Sequence, residues 1–410
     1  MALRDDVRGV GQIITGRLAG RKAARWLRDN PVSAPAIDAG AIEAIVYFAD
    51  EPVNLYQMRQ WDEPLSRLSA EHPVAVVARA PRTAKLLRQE SSLPVVFLPQ
   101  VGDIENWIAG QRVSAVFYVN QNVRNFQMMR HREPAHVFLS HGESEKDYMA
   151  SNQLKAYDFA FVAGDAARAR IAERLYDYDV SARTMEIGRP QVDVDYPAPA
   201  LPTGDRTVVL YAPTWEGDRP SMTYSSLVSH APAMVRALVE TGRHRVIYRP
   251  HPRTGIADAA YAAAHEAIVS MLTAANAADP SASHLVDTES AFGWHLRAAD
   301  AAIADISAVA FDWLATGKPL VLTRPSSADA AVDPDGIASV LVSLGASDAH
   351  RVLDALAEAD DAEHHEARVH LVQHYFGDVT PGASMSRWLE AASRVITDRA
   401  AAIAARTHKP

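Results

Sequence analysis

The chain has no cysteine in its 410 residues. A disulfide scaffold, a thiolate-ligated zinc or iron–sulfur centre and a cysteine nucleophile are thereby excluded. It also lacks any apolar run of the roughly 18 to 20 residues that a membrane-spanning helix needs. The first thirty residues hold no uninterrupted apolar segment of the signal-peptide kind, so the expected location is the cytoplasm. Positive charge is in deficit: 41 Lys and Arg face 50 Asp and Glu, a formal net charge of -9. That argues against a general nucleic-acid binder. It leaves room for a local basic cleft around a phosphorylated ligand. Three signatures are missing as well. No G-x-x-x-x-G-K-[ST] loop occurs, Gly9 and Gly11 are followed by Gly16 in place of the glycine a dinucleotide fingerprint needs, and there is no G-x-S-x-G elbow. No internal repeat of fixed period is found.

What remains is ordinary globular composition, 48% hydrophobic and 22% charged, which rules out disorder over the whole chain. At about 150 residues per domain the length suggests two or three domains. Residues 1–35 form a basic segment. Arg4, Arg8, Arg17, Arg21, Lys22, Arg25 and Arg28 stand against Asp5, Asp6 and Asp29, and Val7, Val10, Ile14 and Leu18 can share one helical face. Two readings stand: an amphipathic helix on anionic lipid at the inner membrane face, or a solvated helix packed on the domain. Gly9, Gly11, Gly16 and Gly20 weaken the helix in either case.

From residue 36 short apolar runs alternate with helical stretches. Strands are expected at 44–49, 74–78, 95–98, 115–119, 136–139 and 159–163, with helices at 84–89 and 165–175 among them. Buried runs alternating with helices indicate an α/β domain with a parallel sheet covered on both faces. The segment Tyr196 to Gly204 has three prolines in six residues and reads as a linker. A second series follows, with strands expected at 208–212, 246–249, 284–286, 301–304 and 320–323, and helices at 231–241, 259–275 and 308–316. The expected organisation is therefore a domain over 36–200, a second over 205–385, and a C-terminal helix over 386–410 that crosses back to the first domain. Two such domains facing each other leave a cleft at the carboxyl ends of both sheets, where open α/β sheets bind ligands.

Four clusters follow expected strands. His141 and Gly142 end one strand, and a His beside a Gly that permits close approach suits a general base in a cleft; a structural His is the alternative. Tyr211-Ala-Pro-Thr-Trp215 turns at its Pro and offers the Thr214 hydroxyl and backbone N–H groups to an anion, or is merely a Pro-terminated strand with a packed Trp. Tyr248-Arg-Pro-His-Pro-Arg253 stiffens His251 between two prolines, with Arg249 and Arg253 supplying guanidiniums of the kind that grip phosphate. In Ala304-Asp-Ile-Ser-Ala308, Asp305 ends a strand and Ser307 is placed to cap the next helix, whose first N–H groups form an anion site; an ordinary cap is the alternative. His364, His365, His370 and His374 are candidates for a metal site, but His365 and His370 are one residue too far apart for H-E-x-x-H, and an exposed helix face reads better. No metal and no cofactor is expected.

In this order and spacing the four clusters resemble the CDP-glycerol glycerophosphotransferase family of teichoic-acid and capsule synthesis. The resemblance rests on His141-Gly142, Ala212 to Trp215, Arg249 to Pro252 and Asp305 to Ala308. Smaller echoes are Ile187-Gly-Arg-Pro190, Thr316 to Pro319 and Gly382-Ala-Ser384, and it covers roughly residues 136 to 390. It implies a GT-B architecture of two Rossmann-like domains. It implies a CDP-polyol donor held by the C-terminal domain, a lipid-linked or polymeric acceptor, attack of an acceptor hydroxyl on the β-phosphate and release of CMP. On that reading His141 is the base and His251, Arg249 and Arg253 hold the phosphoryl oxygens. Ser307, Thr214 and Asp305 lie at the phosphates, Asp312 touches the donor hydroxyls, and Gly142 and Glu143 stand beside the base. The chain departs from the family where Glu143-Ser144-Glu145-Lys146 replaces Thr-Pro and a Lys. It departs again where Ile306 and Ala308 replace an aromatic residue and a second Ser. These changes imply either a divergent branch with another polyol or acceptor, or altered catalysis. The rival readings are a GT-B glycosyltransferase or sugar-nucleotide epimerase, and a non-catalytic binding protein of envelope assembly.

Overall fold

Runs rich in Val, Ile, Ala and aromatics have no polar face to give to water, so they form strands covered on both sides. In the computed structural model the described residues are 2–31, 37–145, 150–288 and 292–407, with side chains described from residue 16 onward. The first sheet contains β1 (Ala44–Phe48), β2 (Val74–Ala78), β3 (Val95–Phe97), β4 (Ala115–Tyr118), β5 (Ala135–Phe138), β6 (Phe159–Val162) and β7 (Thr184–Glu186). Its order is β3-β2-β1-β4-β5-β6-β7, all parallel. The second contains β8 (Thr207–Ala212), β9 (His244–Tyr248), β10 (Leu285–Val286), β11 (Ala301–Asp305), β12 (Leu320–Thr323) and β13 (Ser343–Leu344). Its order is β10-β9-β8-β11-β12-β13, also all parallel. Both begin with the doubly wound order in which direction switches beside the first strand of the unit, and a crevice opens at the carboxyl ends there.

Every expected strand is present within a residue or two. β7 and β13 were not expected: three and two residues long, they have no apolar run and join as edges only once a neighbour exists. The C-terminal helix Ala383–Thr407 inserts Met385, Trp388, Ala392, Val395 and Ile396 into the core of the first sheet. Trp388 packs against Trp61 at 5.0 Å between rings and its indole N–H donates to the Pro64 carbonyl. Asp193 accepts from the backbone N–H groups of Gly382 and Met385 at 2.9 and 2.8 Å, capping that helix.

The basic N-terminal segment is a helix, Ala2–Asp29. Ala23 and Leu27 on it are buried, and Leu18 is 51% exposed. Val7, Val10 and Ile14 lie outside the described side chains.

Candidate active site

β5 runs out at Phe138, and the chain turns through Ser140 into His141. Ser140 has φ 61°, a left-handed conformation that costs a non-glycine residue roughly 1–2 kcal/mol. Two hydrogen bonds hold it: the Trp61 indole N–H donates to the Ser140 carbonyl at 2.6 Å, and the Ser140 hydroxyl donates to the Gly142 carbonyl at 3.0 Å. The tight turn sends the His141 ring into the space between the sheets. Gly142 then passes so near the second lobe that a Cβ there would lie 2.8 Å from the Ala308 Cβ. Glycine is needed for that approach, and the small Ala308 is what it approaches.

On the other side Pro250 and Pro252 fix the loop after β9. The Arg253 backbone N–H donates to His251 Nδ1 at 3.1 Å, which assigns the ring proton of the neutral imidazole to Nε2. Glu216 ties this loop to the one after β8 by accepting from the backbone N–H groups of Gly255, Ala257 and Asp258 at 3.0, 2.8 and 3.2 Å. Arg249 is half of an ion pair with Asp287 (2.5 Å), whose same oxygen also takes the His295 Nε2 proton at 2.7 Å. Burial lowers the pKa values of Arg249 and His295, which keeps His295 neutral and donating.

Both histidines, Gly142, Thr214, Arg249, Ser307 and Asp312 line one cavity of about 390 Å³ between the sheets. Every lining segment follows the carboxyl end of a strand. Ser307 occupies the N-cap position of the helix Ala308–Leu314, but its side chain makes no cap bond. Among the described residues its hydroxyl oxygen is buried without a partner, and Ser307 lines the cavity, contrary to the expected cap. The lining offers an anion the imidazoles of His141 and His251, the Arg59 and Arg249 side chains and the Thr214 and Ser307 hydroxyls. Among the described residues no group of three His, Asp or Glu side chains is arranged to hold a metal ion.

Three expected contacts sit outside the lining, and a fourth is engaged within the protein. Asp305 is fully buried and absent from the lining. Its carboxylate accepts from the Thr214 and Ser226 backbone N–H groups at 2.7 and 3.1 Å and from the Thr323 hydroxyl, so it anchors the loop that carries Thr214. Burial raises its pKa. Arg253 is also outside the lining, its guanidinium stacked 3.7 Å from the Trp215 ring centre. Glu143 turns away from the cavity into a buried ion pair with Arg170, and burial raises its pKa despite that partner. Asp312 does line the cavity, but both its oxygens are taken by Arg189, at 2.5 and 3.2 Å, rather than open to donor hydroxyls.

Arg189 was expected only as an echo. It spans the lobes, donating also to Gln60 Oε1 at 2.7 Å and to the His141 carbonyl at 3.2 Å. Tyr56 was missed altogether. Its ring meets His141 edge-on at 6.1 Å and His251 at 5.4 Å between ring centres. Arg59, Gln60 and Phe292 line the cavity too. None of these four lies in a spacing that signals chemistry; only the fold brings them to the cleft.

Two doubly wound parallel sheets facing across a ligand-sized cleft define a GT-B protein. The chain belongs to the CDP-Glycerol:Poly(glycerophosphate) glycerophosphotransferase family, whose sequence model matches residues 102–328; its members are transferases. Among solved structures the wall teichoic acid polymerase TagF is similar at a TM-score of 0.53 and 12% identity, covering 97% of this chain and 98% of that one. A TagF variant soaked with CDPG matches at 0.53 and 13% over 97% and 98% of the two chains. A protein from Listeria monocytogenes assigned as UDP-N-acetylglucosamine 2-epimerase matches at 0.55 and 15%, over 88% and 98%. At such identities the likeness concerns the fold. No curated protein matches the sequence.

Proposed function

We propose that this protein transfers a polyol phosphate, glycerol phosphate first among them, from a CDP-activated donor to an acceptor hydroxyl. CMP is released, and the product belongs to teichoic-acid or capsule-type envelope polymers. The observation that carries the reading is that His141 and His251, from separate lobes, line a single cavity and both contact one Tyr56 ring there. An alcohol is a poor nucleophile at neutral pH, and a positioned imidazole that removes its proton contributes about 10²–10⁴-fold. His141, on the first lobe, takes that part. His251 presents Nε2–H toward the transferring phosphoryl group, with Arg249 supplying charge and Thr214 and Ser307 supplying hydroxyls, because charge on phosphoryl oxygens needs preorganised donors. Arg253 contributes through Trp215, and Asp305 and Asp312 through the loop and the arginine they hold. The residues 205–385 form the donor lobe and 36–200 the acceptor lobe. The CDPG soaked into TagF supports the choice of donor.

A lipid-linked or polymeric acceptor would bring the protein to the inner face of the membrane. Arg17, Arg21, Lys22, Arg25 and Arg28 are all exposed on the first helix and suit an anionic surface. No helix among the described residues is long and apolar enough to cross a membrane.

The test is CMP release from a panel of CDP-polyols and from UDP-sugars, with and without lipid-linked acceptors. Release from CDP-glycerol but not UDP-sugars is expected. His141→Ala and His251→Ala are each expected to lower it at least ~10²-fold with the thermal midpoint unchanged. Turnover of UDP-sugars alone would favour the glycosyltransferase or epimerase reading. CDP binding with no turnover would favour the binding protein.

A further inference from the structure

Tyr56 belongs to a short helix, Leu55–Arg59, after β1, and nothing about its sequence neighbourhood marks it. Three observations do. Its ring is in T-shaped contact with both His141 and His251. It lines the cavity. And its hydroxyl is held in one sense. Asn120 Nδ2 donates to Asp50 Oδ2 at 2.6 Å and to Gln57 Oε1 at 2.8 Å. That leaves the Gln57 amide nitrogen to donate to the Tyr56 oxygen, at 3.2 Å. The phenol therefore accepts within the protein, and among the described residues this is its one hydrogen bond, which leaves its own proton undonated. Burial raises the Tyr56 pKa, so that proton stays on oxygen.

We propose that Tyr56 is a further catalytic residue, its hydroxyl donating a hydrogen bond to a non-bridging oxygen of the phosphoryl group that passes between the two imidazoles. The assignment rests on the transfer reading above. In the step, the bond from acceptor oxygen to phosphorus forms and the bond from phosphorus to the CMP oxygen breaks. CMP leaves with that electron pair, and the acceptor proton goes to His141. Tyr56 keeps its proton and steadies charge on the oxygen while the bonds exchange. Asp50, Asn120 and Gln57 form the buried chain that aims it.

Tyr56→Phe retains the ring beside the histidines and removes only the donor. CMP release from CDP-glycerol is expected to lose about 10²-fold in kcat, with KM within about threefold and the thermal midpoint unchanged. A kcat within about threefold of wild type overturns the assignment. Should Tyr56→Phe fail to fold, Gln57→Leu carries the test: it leaves the phenol but removes the amide that orients it. A lowered kcat at unchanged KM supports the proposal, and a wild-type kcat overturns it. If the wild-type protein turns over no CDP-polyol, the transfer reading has failed on its own. Tyr56 is then judged by calorimetry with CDP: about tenfold weaker binding in Tyr56→Phe upholds a phosphate contact, and equal affinity removes it.

Discussion

On the C-terminal side of the cleft, buried carboxylates hold the loops from within. Asp305 takes the Thr214 and Ser226 N–H groups, Glu216 takes three N–H groups of the following loop, and Asp287 takes Arg249 and His295. On the N-terminal side the His141 loop leans on the other lobe. Arg189 joins its carbonyl to Asp312, Gly142 abuts Ala308, and Glu145 accepts from the Ile337 N–H and the Tyr375 hydroxyl. The first of these walls is held by contacts within its own lobe; the second adds contacts across the cleft to those within its own. Charge stabilisation of a phosphoryl group calls for a fixed wall, whereas an acceptor that must enter and leave suits the wall set by lobe closure.

Breaking the Arg189–Asp312 pair is the largest perturbation of this comparison. Both side chains are about 5% exposed or less, so Arg189→Met strands a buried carboxylate and is expected to cost about 3–5 kcal/mol. The double variant Arg189→Met with Asp312→Leu should regain most of that stability in urea denaturation, since an apolar pair replaces the ions. Its CMP release should stay low, because the His141 carbonyl and Gln60 still lack their donor. If activity returned along with stability, the His141 loop would not depend on the bridge.

A smaller effect is expected inside the C-terminal wall. Asp305→Ala leaves two buried backbone N–H groups without acceptors, at about 1–3 kcal/mol each for lost satisfaction, less whatever water repairs. The urea midpoint should fall and KM for the donor should rise through Thr214, with little change in lobe closure. An unchanged KM would mean that the Thr214 loop holds its shape without the carboxylate.

The two walls also differ in how far sequence reveals them. The second lobe keeps its chemistry in compact local clusters, where prolines flank His251 and Ser307 follows a strand end. Those residues were legible because local spacing alone sets their geometry. Even there, periodicity could not tell that Asp305 points inward or that Arg253 lies on Trp215, since both depend on neighbours distant in sequence. In the first lobe only His141 sits in a readable motif. Tyr56 and Arg189 are 85 and 48 residues from it on either side, and only the parallel sheet order brings all three together. The alternation of apolar runs revealed both sheets but not β7 or β13, whose pairing comes from register rather than composition.

The mildest test concerns Glu145, within the departure after Gly142. Burial raises its pKa above the ordinary 4.5, outweighing the lowering by the Tyr375 and Ile337 hydrogen bonds and by Arg170. A carboxyl whose folded pKa is raised binds more protons folded than unfolded. Its contribution is therefore fully present below about pH 4.5 and is lost as pH rises through the folded value. Glu145→Gln can still accept at the same oxygen and carries no charge to desolvate. The variant is expected to melt higher than wild type at pH 8, with the margin shrinking to nothing as pH falls below the ordinary carboxylate range. Melting curves from pH 4 to 8 read the difference directly. A margin independent of pH would show that Glu145 joins the lobes through shape rather than through its proton.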